Sequence, residues 1–330
     1  MPSRIFRTVS GRSDRRYYEN IDIFPASIVV ETTTACNARC SHCAHRIMTR
    51  EKGRMDMMLY RKIVDEIARV RPTCHLWMTF YGEALLLQYR LFNMIAYAKR
   101  QGLTSVILNS NAIMLNEEMI IGLIESGLDD FIVSIDAFSP EVYKEIRCSD
   151  HYNAVVENVN NMLRIKSKMR VQKPQIIAQF SIMKENEHQL DAFKAYWLGR
   201  GASVKTRPKL SWTGAVEVDR GHPPKRYPCP WLFATCGITW NGKVVQCVVD
   251  YDAKYVAGNV NETSLQSIWQ GKLKEIRDAQ LEGRFDTSPV CANCSDWQSE
   301  KPTKIVMERV KSWLNQHHVT QGSKVIRPDM

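Results

Sequence analysis

The chain lacks several things, and each absence excludes something. It has no apolar run of 18 or more residues, so it offers no candidate membrane span. Its first residues, MPSRIFRTVSGRSDRR, are basic and polar with no apolar h-region, which excludes a signal peptide. No long-period internal repeat is present, which excludes a repeat architecture. Long blocks of one charge sign are also missing. The net charge is +10, yet the basic residues are scattered among acids apart from short clusters such as Arg12–Arg16. That pattern predicts a generally basic surface first, an anionic or phosphorylated substrate next, and a nucleic-acid partner last. These features predict a cytoplasmic protein without a membrane partner. There, the ten cysteines read as metal ligands or reactive thiols rather than disulfides.

What is present suffices for one large domain and a small one: 330 residues, 44% of them hydrophobic. Short β-rich runs alternate with helix-period segments through about residue 210. The strand candidates are Ser27–Thr33, His75–Phe80, Ser105–Asn109, Phe131–Asp136, Gln175–Met183 and Ser203–Lys209. The helix candidates are Leu59–Val70, Leu91–Arg100, Glu117–Ser126, Pro140–Arg147 continuing to Asn153–Lys168, and Gln189–Leu198. Such alternation predicts α/β units on a mostly parallel sheet, and six of them suggest a partial (β/α)6 barrel. Chemistry in such barrels sits on the loops after the strands.

The pattern changes after Lys209. A Pro-rich stretch, GHPPKRYPCP, reads as a linker. CGITWNGKVVQCVV reads as a hairpin turning in type I′ geometry at Asn241-Gly242. SLQSIWQGKLKEIRDAQLEG reads as one amphipathic helix stopped at Gly283. A last helix is predicted over Ile305–Leu314. The predicted division is a basic extension (1–24), a barrel (25–215), a small C-terminal β-hairpin-plus-helix module (216–300), and a helix with a polar tail (301–330).

Directly after the first strand candidate stand Cys36, Cys40 and Cys43, spaced C-x3-C-x2-C. Three thiolates on one tight loop suit three irons of a [4Fe–4S] cluster, with the fourth iron open to an outside ligand. A zinc ion completed by His42 or His45 is the alternative.

This loop after the first strand of a partial barrel resembles the radical S-adenosylmethionine (SAM) superfamily. Other segments strengthen the resemblance over about residues 25–210. FYGEALL is similar to the family's Gly-Gly-Glu motif, which takes the methionine amino group, with Tyr81 in place of the first glycine before Gly82 and Glu83. VSIDAF is similar to the segment that meets the ribose and offers Ser134 and Asp136. Asn109, ending the third strand candidate, joins this cofactor-binding set. EVYKEIR resembles a segment that brings Arg147 near the SAM carboxylate. His42 takes the place of the usual aromatic that touches adenine. The resemblance implies that SAM chelates the open iron. Reductive cleavage then yields a 5′-deoxyadenosyl radical that abstracts a substrate hydrogen. It also implies a small-molecule substrate and a flavodoxin- or ferredoxin-type electron donor.

A second set, Cys229, Cys247, Cys291 and Cys294, is spaced C-x17-C-x43-C-x2-C. It resembles the "twitch" module, a shortened SPASM domain, which implies an auxiliary [4Fe–4S] cluster; structural zinc is the alternative. Four protein ligands leave no iron open to substrate, so the inferred role is electron transfer. Of the remaining cysteines, Cys74 reads as a buried hydrophobe; Cys236 reads first as a core thiol, then as a hydrogen-atom donor or an alternative cluster ligand; Cys148, at a helix end, is a further candidate donor.

The twitch subgroup includes enzymes that oxidise an aminocyclitol alcohol to a ketone. The leading expectation is thus radical oxidation of a secondary alcohol in a sugar or aminocyclitol. Arg147, Asp150, His151, Asp250 and Tyr251 are the candidate bases. The runner-up is an epimerase of a sugar or peptide residue using Cys236 or Cys148. The short N-terminal extension weighs against a peptide, since it is too small for a winged-helix recognition element. Two further readings are a non-catalytic Fe–S or zinc protein that binds nucleic acid and a two-cluster electron carrier. Trp212, Trp231, Trp240 and Trp297 read as core more readily than as a sugar pocket.

Overall fold

The computed structural model describes residues 20–219, 226–299 and 308. The predicted helix Ile305–Leu314, the polar tail and most of the basic extension lie outside these residues.

Six parallel strands form the barrel wall: β1 (Ser27–Val30), β2 (His75–Trp77), β3 (Ser105–Ser110), β4 (Asp130–Ser134), β5 (Gln175–Ile182) and β6 (Ser203–Pro208). The helices between them are α1 (Met57–Val70), α2 (Tyr89–Arg100), α3 (Glu117–Glu125), α4 (Pro140–Arg147), α5 (Tyr152–Lys168) and α6 (Leu190–Gly199). Local chemistry sets their starts. Asp56, Asn116 and Ser139 each accept a backbone N–H from the first turn of α1, α3 and α4. Strands β1 to β5 are largely apolar on both faces, as a covered parallel sheet requires, whereas β6 (SVKTRP) is half-buried and mostly polar. Outward side chains such as Leu76, Val106, Leu108, Phe131 and Phe180 join the main core beneath the helices. Inward, Ile107, Ile132 and Ile177 form a separate apolar floor against Trp77.

The C-terminal part is more continuous with the barrel than predicted. β7 (Thr235–Ile238) pairs parallel with β1, and β8 (Lys243–Val245) and β9 (Val256–Asn259) follow antiparallel. One nine-stranded sheet results, ordered β6-β5-β4-β3-β2-β1-β7-β8-β9. β9 went unread because VAGN is short and half glycine or polar.

The hairpin turn differs from its prediction. Gly242 N–H donates to Thr239 O at 2.9 Å, so the central residues are Trp240 and Asn241. Only Gly242 is left-handed, at φ 88°. This is the three-residue hairpin, with glycine at its left-handed position, rather than type I′. The predicted single helix breaks at Gly271 into α8 (Leu265–Gln270) and α9 (Lys272–Leu281). Likewise Cys148, left-handed at φ 52°, separates α4 from α5. Two further short helices, α7 (Pro230–Ala234) and α10 (Pro289–Ala292), each begin with proline. Among the described residues, no helix is long and apolar enough to cross a membrane.

Candidate active site

The loop after β1 is held from below and from the side. Glu31 is fully buried; Arg50 Nη1 donates to it at 2.8 Å and Trp240 N–H at 3.2 Å. Burial raises the Glu31 pKa, and Arg50 opposes that rise. Arg50 Nε also donates to Tyr251 O at 2.6 Å, tying the C-terminal module to this loop. Higher up, Ser41 N–H donates to Ile146 O at 2.9 Å, and Asn111 Nδ2 to Asn37 Oδ1 at 2.8 Å. The Trp212 indole donates to His42 O at 2.8 Å. Between these anchors stand Cys36, Cys40 and Cys43. Burial pushes the Cys36 thiol up to about 11 and raises Cys43.

Gly82 follows β2 at φ +86°. A Cβ there would lie 2.3 Å from Thr33 O and 2.8 Å from Ala35 O, so only glycine lets the two loops touch. Glu83 N–H then donates to Ala35 O at 2.7 Å. The Glu83 carboxylate is 2% exposed and accepts from Asn111 N–H at 2.7 Å, Ser110 Oγ at 2.9 Å and Leu85 N–H at 3.1 Å. Burial raises its pKa and these donors pull it back. The side chain thus organises the loop after β3.

A polar ledge caps the apolar floor. Ser134 Oγ donates to Asn109 Oδ1 at 2.9 Å, and Gln179 Nε2 donates to Ser134 Oγ at 3.1 Å. Above it Asp136, left-handed at φ 61°, faces Arg147 Nη2 at 3.0 Å and His42 Nε2 at 3.6 Å. Its other oxygen accepts Ser181 N–H at 2.6 Å. Arg147 reaches Cys40 Sγ at 3.3 Å through Nη1 and also donates to Ser134 O. Burial holds the His42 imidazole down to about 4, so it is neutral at physiological pH. From β6, Arg207 Nε donates to Ser181 Oγ at 2.9 Å. Sequence reasoning missed Gln179, Ser181 and Arg207. Their signal was present: polar residues at two-residue spacing interrupt otherwise apolar or β-prone strands.

The second cysteine set lies in one region, where Cys247 feels Cys229, Cys291 and Cys294. Cys229 is the N-cap of α7, Cys247 follows β8, Cys291 lies in α10, and Cys294 comes just after it. The Cys291 sulfur accepts from Gln246 Nε2 at 2.8 Å, and the Cys294 sulfur accepts from Asp296 N–H at 3.3 Å. Burial pushes Cys229 and Cys294 each up to about 12 and raises Cys247 and Cys291.

Of the other candidates, Cys236, Cys148, Asp150 and His151 are not brought to these sites, whereas Asp250 and Tyr251 lie beside Tyr81 near both. Cys236 sits on β7 in the main core, fully buried, with its thiol pushed up by burial and by neighbouring Cys74. Cys148 is exposed at the end of α4. Asp150 is exposed and paired with Lys144, and His151 is exposed beside Ser149. Both Asp250 carboxylate oxygens accept backbone N–H groups, from Lys254 and Tyr255. Tyr251 packs with Tyr81 in a small satellite cluster.

Comparison with known proteins decides what these sites belong to. The radical SAM superfamily model matches residues 30–171, and the SPASM iron–sulfur cluster-binding model matches residues 229–295. The chain thus carries a radical SAM domain followed by a SPASM domain. Among curated relatives, it is 24% identical over 278 residues to an S-adenosyl-L-methionine-dependent 2-deoxy-scyllo-inosamine dehydrogenase of Niallia circulans, covering 82% of this chain and 92% of that one. It is also 26% identical over 178 residues to a tungsten-containing aldehyde ferredoxin oxidoreductase cofactor-modifying protein of Pyrococcus furiosus. That match covers 54% of this chain and 49% of the relative, about half its length. Among solved structures, BtrN in complex with AdoMet and 2-DOIA aligns with TM-score 0.59 at 20% identity, over 86% of this chain and 96% of that one. Streptococcus suis SuiB bound to precursor peptide SuiA aligns with TM-score 0.65 at 11% identity, over 89% and 76%.

This radical SAM enzyme therefore uses SAM, a [4Fe–4S] cluster and an auxiliary cluster, and its residues fit them. The thiols of both sets are buried or half-buried, and desolvated thiols ionise only with nearby positive charge such as iron supplies. Among the described residues, no three Cys, His, Asp or Glu side chains are gathered at single-ion spacing. His45 is also engaged, through Nε2, with Thr34 O at 2.6 Å. Finally, His42 Nδ1 and Arg147 Nε are buried without hydrogen-bond partners beside the Arg147–Asp136 ion pair, as a polar ligand there would require.

Proposed function

We propose that this radical SAM enzyme oxidises a secondary alcohol of a sugar-like or aminocyclitol substrate and delivers the second electron to its auxiliary cluster. The observation that carries the reading is the four-thiol site. All four cysteines converge there, so an auxiliary cluster would be fully protein-ligated, suited to taking an electron rather than binding substrate. The alignment over 92% of a relative named as a dehydrogenase points the same way.

When bound, SAM and its cluster supply a 5′-deoxyadenosyl radical for hydrogen abstraction, and the auxiliary cluster supplies an electron acceptor. In this reading Cys36, Cys40 and Cys43 hold the first cluster, and Cys229, Cys247, Cys291 and Cys294 hold the second. Gly82 lets backbone carbonyls approach the methionine end, while Glu83 fixes the loop rather than contacting the amino group. Asn109 and Ser134 present the ledge for the ribose. Arg147 holds a carboxylate beside Cys40, with Asp136 fixing its orientation. Neutral His42 lies against the adenine side.

β6 also turns cations inward: Lys205 Nζ lies 5.1 Å above the Trp77 ring, and Arg207 reaches Ser181. Acid-bearing sugars therefore belong in the substrate panel beside aminocyclitols. The placements of Cys236 and Cys148 give the epimerase alternative no donor in the chamber.

The test is anaerobic reconstitution, then SAM, reductant and the panel in D2O. The expected result is 5′-deoxyadenosine with a product two hydrogens lighter. A product in which one carbon-bound hydrogen has been replaced by solvent deuterium would instead identify an epimerase. Lack of deoxyadenosine with every compound, together with lack of SAM binding, overturns the radical reading.

A further inference from the structure

The two thiol sites meet across a wall of aromatic side chains. Tyr81 stands where the resembled motif has its first glycine, so its ring is an addition to the ordinary loop. The side chain is buried, and its hydroxyl donates to Val248 O at 3.2 Å, next in the chain to Cys247. Its ring packs on Trp212 with centroids 5.5 Å apart. The Trp212 indole donates to His42 O at 2.8 Å, next in the chain to Cys43. Behind Trp212, the Asp296 carboxylate accepts Ser211 N–H at 2.6 Å and Thr213 N–H at 3.4 Å. Asp296 N–H in turn donates to Cys294 Sγ at 3.3 Å.

The segment carrying Trp212 is strained. Trp212 and Thr213 are left-handed at φ 50° and 61°, followed by Gly214 at 88°. Such strain at non-glycine residues gathers where surroundings impose a functional geometry. The Tyr81 hydroxyl also feels both Cys43 and Cys247, which places it between the two sets.

We propose that Tyr81 and Trp212 form the electronic contact between the two cluster sites. One electron passes between the auxiliary cluster and the SAM-binding cluster through these packed rings and their hydrogen bonds. One cluster is oxidised by one electron as the other is reduced; no bond forms or breaks and no proton moves. Packed, bonded atoms carry an electron farther than an empty gap of equal width. The inference rests on the reading that the auxiliary cluster accepts an electron.

The experiment uses the full chain with both clusters reconstituted and no substrate. A light flash with a photoreductant delivers one electron per molecule, and electron redistribution is followed by EPR and absorbance. Iron content and SAM binding are measured in parallel for Y81F, Y81L and W212L. Y81F is expected to redistribute as the parent does. Y81L and W212L are expected to slow several-fold with iron and SAM binding intact. Parent-like rates in both leucine variants overturn the proposal. So does loss of auxiliary iron in them while Y81F stays intact, since that marks a purely structural wall. If the parent's auxiliary cluster takes no electron at all, the proposed acceptor role fails first, and that is visible before any variant is compared.

Discussion

Gly82 and Glu83 divide one task between backbone and side chain. Gly82→Ala places a Cβ 2.3 Å from Thr33 O in a left-handed backbone. Its expected cost is at least about 1–3 kcal/mol, with SAM affinity falling more than cluster content; equilibrium SAM binding and iron assay check this. Arg50→Ala leaves Glu31 fully buried without its partner, at an expected cost of about 3–5 kcal/mol. Chemical denaturation would show it, and the first cluster should become more labile to chelator. A denaturation midpoint equal to the parent's would contradict both accounts. Residue identity was easiest to read where chemistry needs a rare type at fixed spacing, as in both cysteine sets. Gln179 and Arg207 were harder, because one polar residue in a strand resembles many surface positions until the barrel closes around it.

At the scale of elements, the end of α4 does two things. Cys148 turns left-handed and stops the helix, while Arg147, one residue earlier, is swung inward to Cys40 and Asp136. The six barrel strands and their helices were legible to within a few residues, because continuous apolar strands and capped amphipathic helices are local properties. The breaks were not. Gly271 divides a segment whose apolar period runs through it unbroken, and only packing against neighbouring elements decides that it bends. Cys229 is the N-cap of α7, and Cys229→Ala removes one of four auxiliary ligands. It should cut bound iron by about half, as expected if each cluster needs its own thiolates. SAM cleavage should persist while alcohol oxidation is lost. Iron assay and deoxyadenosine quantification separate the two effects.

Over the whole molecule, the sheet has a chemical gradient along its strands. Asp130 begins β4 at the end away from the chamber; burial first, and Asp129 second, push its carboxyl up to about 6. A carboxylate with a raised folded pKa binds its proton more tightly in the folded state, so its contribution to stability falls as pH rises from about 4 to 6. Asp130→Asn should therefore be more stable than the parent at pH 7, by on the order of 1 kcal/mol, and equal to it near pH 4. Thermal melts at both pH values test the sign.

The sequence alone determined the alternating α/β pattern, the two thiol sets and the Gly-Glu turn, because each is written in local periodicity or in reactive residues at short spacing. Tertiary structure decided three things that no local pattern encodes. It joined β7 to β1 in one sheet, tied the loop after β1 to the C-terminal module through Arg50 and Tyr251, and laid Tyr81 against Trp212 between the two thiol sites. Those outcomes depend on contacts between residues over a hundred positions apart, and only the closed fold brings them together.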